Sequence, residues 1–390
     1  MFSKRTDWKL VPNALTLAQE EMKAGGREVL DLTVSNPTRV GLNYDVDEIL
    51  TALSQPQVLD YDPQPKGMLS ARQAVAAYYR DQHDAFGIDP ENIVLTASTS
   101  EGYSYVFRLL CNPGDKILVP NPSYPLLEFL ADLQDVTLVP YPLVYDHGWQ
   151  IDFASLYKQV DHHTRAILIV HPNNPTGSYV RQEEISPLYA FCRDYNLALV
   201  VDEVFLDYAH DGAPRPSFAA NPGVLTFTLS GLSKISALPQ MKLAWIVTSG
   251  PEDRVPAAIA RLEVIADTFL SMSAPLQLAL PVLLEQRKHI QPVLRDRLRA
   301  NLEELDRQLA DRPSCSRLEV EGGWYVVLRI PVTESDEELA IRILRSVSVL
   351  VHPGHFYDFH ADGHLVLSLI TPSEHFRQGV HRALEVIEVR

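Results

Sequence analysis

Lys234 stands in the run Ser230-Gly-Leu-Ser-Lys-Ile-Ser-Ala-Leu-Pro, downstream of two other polar interruptions of apolar runs, Asn173-Asn-Pro-Thr-Gly177 and Asp202-Glu203. An amine, a carboxylate and an amide at successive strand ends are the groups required to hold a pyridine aldehyde as an imine and to keep its ring protonated. Asp202 follows Val200-Val201 directly, where a carboxylate can form a charge-assisted hydrogen bond to a pyridinium nitrogen. A helix cap or surface turn is the other reading of that acid. Pro175 fixes the backbone and pushes Asn174 toward an extended conformation, from which its amide can donate to a ring phenolate oxygen; as a turn alone the motif is ordinary. Lys234 has hydroxyls rather than acids as sequence neighbours, which lets its pKa fall far enough for imine formation.

A phosphate needs backbone N–H groups and hydroxyls, best supplied at a helix N-terminus. Ala97-Ser-Thr-Ser100 supplies both, just before a helix expected from Glu101, with plain capping by Ser98 or Ser100 as the alternative. Tyr124, in Pro120-Asn-Pro-Ser-Tyr-Pro, can stack on a pyridine ring or anchor its loop. Taken together these groups specify pyridoxal 5'-phosphate. No GxGxxG or GxxxxGK[ST] motif competes for a nucleotide. His352, His355, His360 and His364 cluster near the C-terminus without an HExxH or a cysteine partner, and are read as hydrogen-bonding side chains, with no metal expected.

The elements that must position these groups follow from hydrophobic patterning. Short runs apolar on both faces begin at Ile93, Lys116, Val136, Ala166, Leu197, Leu225 and Leu243, and suit a mainly parallel, seven-stranded sheet covered by helices. Helical periodicity marks 70–82, 100–110, 125–133, 182–195 and 251–266 between them. Ligands of such sheets gather at the carboxyl ends of the strands, where all the groups named above fall. A long amphipathic stretch over 272–310, with Pro281 and Pro292 as expected breaks or helix starts, leads into a small α+β domain. The expected division is an N-terminal segment 1–45 packing on the small domain and substrate pocket, a large α/β domain over 46–270, and the small domain over 271–390.

At 390 residues and 46% hydrophobic, the chain can bury a sizeable core. A net charge of -16 argues against nucleic acid or an anionic membrane as partner. Cys111, Cys192 and Cys315 are far apart and form no CxxC pair, which fits a reducing compartment. The N-terminus lacks a signal-length apolar run and no run is long enough to span a bilayer, so a cytoplasmic location is expected.

In order and spacing, Tyr61, Ser98-Thr-Ser-Glu101, Asn112-Pro-Gly-Asp115, Pro122-Ser-Tyr-Pro125, Asn174-Pro-Thr-Gly177, Asp202-Glu-Val-Phe205, Ser233-Lys234 and Gly322-Gly-Trp324 resemble the class I/II aminotransferases of the fold-type I, pyridoxal-phosphate-dependent superfamily, aspartate aminotransferase-like in character. The resemblance runs from about Asp31 to the last helix. It implies that Lys234 carries the cofactor as an internal aldimine and later shuttles the proton, that Asp202 pairs with the pyridine nitrogen, and that Asn174 bonds the 3-oxygen. It further implies that Tyr124 stacks on the ring, that Ser98, Thr99, Ser100, Ser233 and the residue at 242 serve the phosphate, and that Tyr61 reaches the phosphate of the neighbouring subunit in a homodimer.

Several positions depart from the family pattern. Phe205 replaces a tyrosine that would donate to the 3-oxygen; Gly231 stands where many members carry serine; Lys242 replaces an arginine, keeping the charge but giving up its fork. Val366, in Leu365-Val-Leu-Ser-Leu369, occupies the place of the arginine that grips the substrate α-carboxylate. A buried carboxylate needs a partner, so either another cation serves, with Arg39 the first candidate and Arg329 the second, or the substrate lacks that group; surface roles are the other reading of both arginines. The reaction expected is amino-group transfer between an amino acid and a 2-oxo acid. A lyase, decarboxylase or cyclising synthase on the same scaffold is the alternative, prompted by the missing arginine, and a non-catalytic binding protein would need a further module of which the sequence has no sign.

Overall fold

The computed structural model describes residues 1–388. Its largest sheet has eight strands in the order Ile93–Thr96, Ala244–Ser249, Thr226–Gly231, Ala198–Asp202, Thr164–Val170, Lys116–Asn121, Thr137–Tyr145 and Trp149–Ile151. The five strands from Thr226–Gly231 to Thr137–Tyr145 are mutually parallel, and Ala244–Ser249 runs against both of its neighbours. Trp149–Ile151 is the strand that the sequence did not announce. It folds back on Thr137–Tyr145 across a tight turn in which His147 and Gly148 take positive φ.

Each central strand divides its side chains between two faces, as the pleat requires. Ala166, Leu168, Ala198, Val200, Phe227, Leu229 and Ile246 pack beneath helices Thr99–Leu110 and Val255–Phe269. Ile167, Ile169, Leu199 and Val201 face helix Gln182–Asp194, while Ile93, Leu95, Trp245 and Val247 face helices Leu69–His83 and Ala274–Glu285. Burial on both faces explains why these runs read as uninterrupted apolar segments. Helix Ala274–Glu285 therefore packs with the large sheet's helices, although it lies beyond residue 270.

A second sheet, ordered Ser316–Arg317, Tyr325–Arg329, His364–Ser368, His352–Pro353, is antiparallel throughout and is covered by helices Asp336–Val347 and Ser373–Glu388. The N-terminal Leu30–Asp31 pairs in parallel with Val349–Leu350, and Ser368 donates through its amide to Leu32 and through its hydroxyl to Val34. The first residues lie elsewhere: Trp8 Nε1 donates to Asp132 at 2.8 Å and Arg5 pairs with Asp135, so this end of the N-terminal segment rests on the large sheet's periphery.

Pro281 and Pro292 fall inside helices Ala274–Glu285 and Arg287–Leu309, and the boundary lies at Gln286. Each proline costs its helix a hydrogen bond, which the buried faces carrying Leu283, Leu284, Ile290 and Leu294 offset. Arg287–Leu309 has 23 residues, a length of about 35 Å. At one end Gln291 donates to Asp207 and to the Ile235 carbonyl, and Arg295 donates to the Asp207 carbonyl. Further along, Arg297 reaches the carbonyls of Val40 and Ile370, and Asn301 those of Leu369 and Thr371.

Gly231 ends the strand that delivers Lys234 and pairs with Ala244. A Cβ there would lie 2.8 Å from the Ala244 Cβ and 3.0 Å from the Leu243 carbonyl oxygen, so the absence of a serine at this position is a packing requirement. Gly231→Ala should destabilise the fold by about 1–3 kcal/mol. A thermal unfolding midpoint equal to that of the parent would refute the close approach.

Candidate active site

Lys234, Asp202, Asn174, Tyr124 and Ser98–Ser100 all leave the large sheet at one edge. Across it lie the ends of Ile93–Thr96, followed by Ser98–Ser100; Thr226–Gly231, followed by Lys234; Ala198–Asp202; Thr164–Val170, followed by Asn174; and Lys116–Asn121, followed by Tyr124. Neighbouring strands are about 4.8 Å apart, so Lys234, Asp202 and Asn174 are set out at intervals that a single aromatic ring and its substituents can bridge.

Three loops are locked together here by contacts too close for side chains. Gly177 has φ +69°, and a Cβ on it would lie 2.4 Å from the Gly322 carbonyl oxygen. Its own carbonyl accepts from the amides of Glu321 and Gly322, while Gly323 donates to the Tyr208 carbonyl. A Cβ on Gly322 would meet the Tyr179 hydroxyl at 2.6 Å and the Tyr208 carbonyl at 2.8 Å. The loop bearing Asn174, the turn bearing Phe205 and Tyr208, and the entry to the strand bearing Tyr325 thus have one mutual arrangement.

Lys234 lies in the short helix Leu232–Ile235, and its carbonyl accepts from the Tyr208 hydroxyl at 2.7 Å. Its Nζ sits 4.7 Å from the centre of the Trp324 ring and 5.5 Å from that of Phe205. Among the described residues no carboxylate bonds it. Burial pulls its pKa from 10.5 down to about 8, opposed by the charge of Asp202. Phe205, packed edge-on against Trp324 at 5.3 Å, is therefore an apolar wall of the site, with no hydroxyl to offer.

Asp202 accepts from the Tyr103 hydroxyl at 2.7 Å and from the Val204 amide at 3.0 Å. Burial raises its pKa, and those two bonds and the charge of Lys234 pull it back. Tyr124 is 46% exposed as a residue; the pKa of its hydroxyl is raised by partial loss of solvent and then by the Asp202 charge. Glu203 points away: it is buried and accepts from the Ser217 hydroxyl and the Phe218 amide, a structural role.

Asn174 is buried and its side-chain oxygen finds no partner among the described residues. The Ser98 hydroxyl caps helix Thr99–Leu110 by accepting from the Glu101 amide at 3.2 Å, so its side chain is already engaged. The amides of Thr99 and Ser100 belong to a first turn that offers them no intrahelical acceptor, and their hydroxyls stand at the same end. Because Thr96 pairs with Ala244, Ser98 and Lys242 leave the sheet side by side, which puts a cation next to that helix end. Lys242 is exposed and has φ 49°. A buried side-chain amide, a buried acid, a desolvated amine and a helix N-terminus with a lysine close by in register are a set of groups that fits pyridoxal phosphate.

Tyr61 is 85% exposed and lies apart from these groups. Arg39, in the turn Pro37–Arg39, and Arg329 are also exposed, Arg329 in a cavity of about 550 Å³ shared with Asn121, Trp149 and His360. Tyr103 and Tyr208 act on the site without having been singled out for it, and Trp324 was picked out only as part of the family pattern. Tyr103 could have been found from its place one turn into the helix that begins at the phosphate-binding end; Tyr208 bonds across the fold and leaves no local signal. Among the described residues no group of three or more His, Cys, Asp or Glu is arranged to hold a metal, and no helix is long and apolar enough to cross a membrane.

Residues 27–382 match the family model described as aminotransferase class I and II. The chain is 28% identical over 372 residues to the alanine aminotransferase of Mycobacterium tuberculosis, covering 93% of this chain and 86% of that one. It is 29% identical over 360 residues to the glutamate-pyruvate aminotransferase of Haemophilus influenzae, covering 90% and 87%. In fold it is similar to an alanine aminotransferase from Pyrococcus furiosus, with a TM-score of 0.90, 22% identity and full coverage of both chains. These relatives do not favour a lyase, decarboxylase or cyclising synthase. The chain belongs to the class I and II aminotransferase family, and is a pyridoxal-phosphate-dependent aminotransferase of fold-type I.

Proposed function

We propose that the enzyme moves an amino group between a small neutral amino acid of the alanine type and a 2-oxo acid, with Lys234, Asp202 and Asn174 as its catalytic residues. The observation that carries this reading is Lys234 itself, an amine faced by the Phe205 and Trp324 rings, bonded to no acid and lowered to about 8. The names of the curated relatives support the substrate class.

When bound, pyridoxal phosphate supplies an electron-poor ring that stabilises negative charge at the substrate α-carbon. Lys234 Nζ would hold the aldehyde end of the cofactor and, when free, would be the base that takes the substrate α-proton and returns it. Asp202 keeps a proton on the pyridine nitrogen, and Tyr103 holds Asp202 in place. Asn174 turns its amide to the 3-oxygen, unaided by Phe205. Thr99, Ser100, Ser233 and Lys242, with the backbone after Ser98, would hold the phosphate, and Tyr124 would stack on the ring. The chain works as a homodimer in which the exposed Tyr61 completes the partner's phosphate site, and it resides in the cytoplasm. Arg39 lies five residues beyond Val34, whose carbonyl accepts from the Ser368 hydroxyl.

Lys234→Ala should lower turnover of L-alanine with a 2-oxo acid by about 10²–10⁴-fold or more. It should also abolish borohydride-fixed cofactor; label retained on another residue would reject the assignment. In cofactor-free enzyme the amine is reactive only when neutral. The rate at which Lys234 captures pyridoxal phosphate should therefore fall tenfold per pH unit below about 8. Because Asp202 raises that pKa, Asp202→Asn should move the break to lower pH, and an unmoved or raised break would show the two groups to be uncoupled. Tyr61→Phe should weaken cofactor affinity by about tenfold, the loss of one charge-assisted hydrogen bond. Unchanged affinity in a dimeric protein would exclude Tyr61 from the phosphate site.

A further inference from the structure

An amino-acid substrate brings a carboxylate into a pocket walled by aromatic rings, and a carboxylate there must be met by a donor. The sheet beside Lys234 shows which donor is in position. In antiparallel pairing, residues directly opposite share a face with their Cβ atoms about 5 Å apart. Tyr325 is opposite Ser368, Val327 opposite Val366, and Val366 opposite His352, so these five side chains project from the same face. That face belongs to the active site, because the Tyr325 ring lies 6.3 Å from the Phe205 ring and Phe205 in turn faces Lys234 Nζ. Val327 and Val366 are buried and carry nothing polar. His352 is the one of the five with a nitrogen to offer.

We propose that His352, reaching from the strand beside Val366, is the residue that receives the substrate carboxylate. The inference rests on the amino-acid transfer reading above and names the specificity-determining side chain for it.

The imidazole is held for that task. Its Nδ1 lies 3.1 Å from the Tyr357 hydroxyl, and the Tyr357 carbonyl accepts from the Ser123 amide, in the loop that carries Tyr124. With the tyrosine donating to Nδ1, the ring's proton sits on Nε2, which makes no hydrogen bond among the described residues. The competing cations are less well placed. Arg329 lies four residues beyond Tyr325 on its strand, a distance of about 13 Å. Arg39 is exposed in its turn. Burial lowers the His352 pKa while Asp31 raises it, and with Tyr357, and His364 two positions from Val366, these are the ionisable groups around the ring. A carboxylate arriving at Nε2 favours the protonated ring, so binding draws in a proton.

The test uses the holoenzyme. L-Alanine and ethylamine, which lacks the carboxylate, are compared as amino donors, and propionate binding is measured by calorimetry in two buffers of different ionisation heat. His352→Val and His352→Gln should raise the KM for L-alanine and the Kd for propionate at least tenfold, leave ethylamine unaffected, and remove the proton uptake seen with the parent enzyme near neutral pH. Adding Val366→Arg to His352→Val should restore carboxylate affinity without the proton uptake. Propionate affinity and proton uptake unchanged in both His352 variants would overturn the proposal, as would no detectable propionate binding by the parent, or a loss confined to Arg39→Ala. Should the parent fail to transfer amino groups from any amino acid while His352 still governs propionate binding, the transfer reading falls and the carboxylate site stands.

Discussion

The meeting of Gly177, Gly322 and Tyr208 governs the rest of the structure. Three backbone segments from distant parts of the sequence approach so closely that even a methyl group would collide with a carbonyl oxygen. Their amides and carbonyls satisfy one another there, so the contact is both tight and fully bonded. Asn174, Phe205 and Trp324 are carried on those segments. Their relative positions are set by backbone, not by side-chain rotamers, which is the kind of support that pre-organised chemistry requires.

Within that frame, desolvation and charge compete at two groups. Lys234 and Asp202 would each favour the charged form of the other, yet burial is the largest influence on both, moving the amine down and the acid up. The aromatic wall of Phe205 and Trp324 explains the outcome at the lysine, since rings give a cation far less than water does. A nucleophile near neutrality is the result. Had a carboxylate been bonded to Nζ, the amine would have stayed protonated and inert as a base. The replacement of a tyrosine by Phe205 thus removes a hydrogen bond from the 3-oxygen and adds to the apolar surroundings of Lys234.

Most of the large sheet was legible because its strands are buried on both faces and so read as continuous apolar runs. The eighth strand was not, because Trp149–Ile151 is only three residues long and is defined by its pairing with Thr137–Tyr145. The helix boundary at Gln286 was misplaced onto Pro281 and Pro292 because burial outweighs local preference along that stretch. Lys234, Asp202 and Asn174 could be picked out from residue type and strand-end position. Ser98 was read as a phosphate hydroxyl with helix capping as the alternative, and the geometry selects the cap, its oxygen accepting from the Glu101 amide. Tyr208, and the opposition of His352 and Val366, depend on pairings between residues far apart in the chain. Spacing along one strand carries no information about what faces it from the next.

The helix Arg287–Leu309 is bonded near its start to the backbone next to Lys234 and further along to the backbone that follows strand His364–Ser368. It is in effect a strut between the site of proton transfer and the wall that lines the substrate. Sliding the two sheets past each other would shear bonds at both ends of the strut, whereas a rocking motion about it would shear neither. A cleft braced in this way has a single inexpensive direction in which to breathe, and admission of substrate and escape of product must share it.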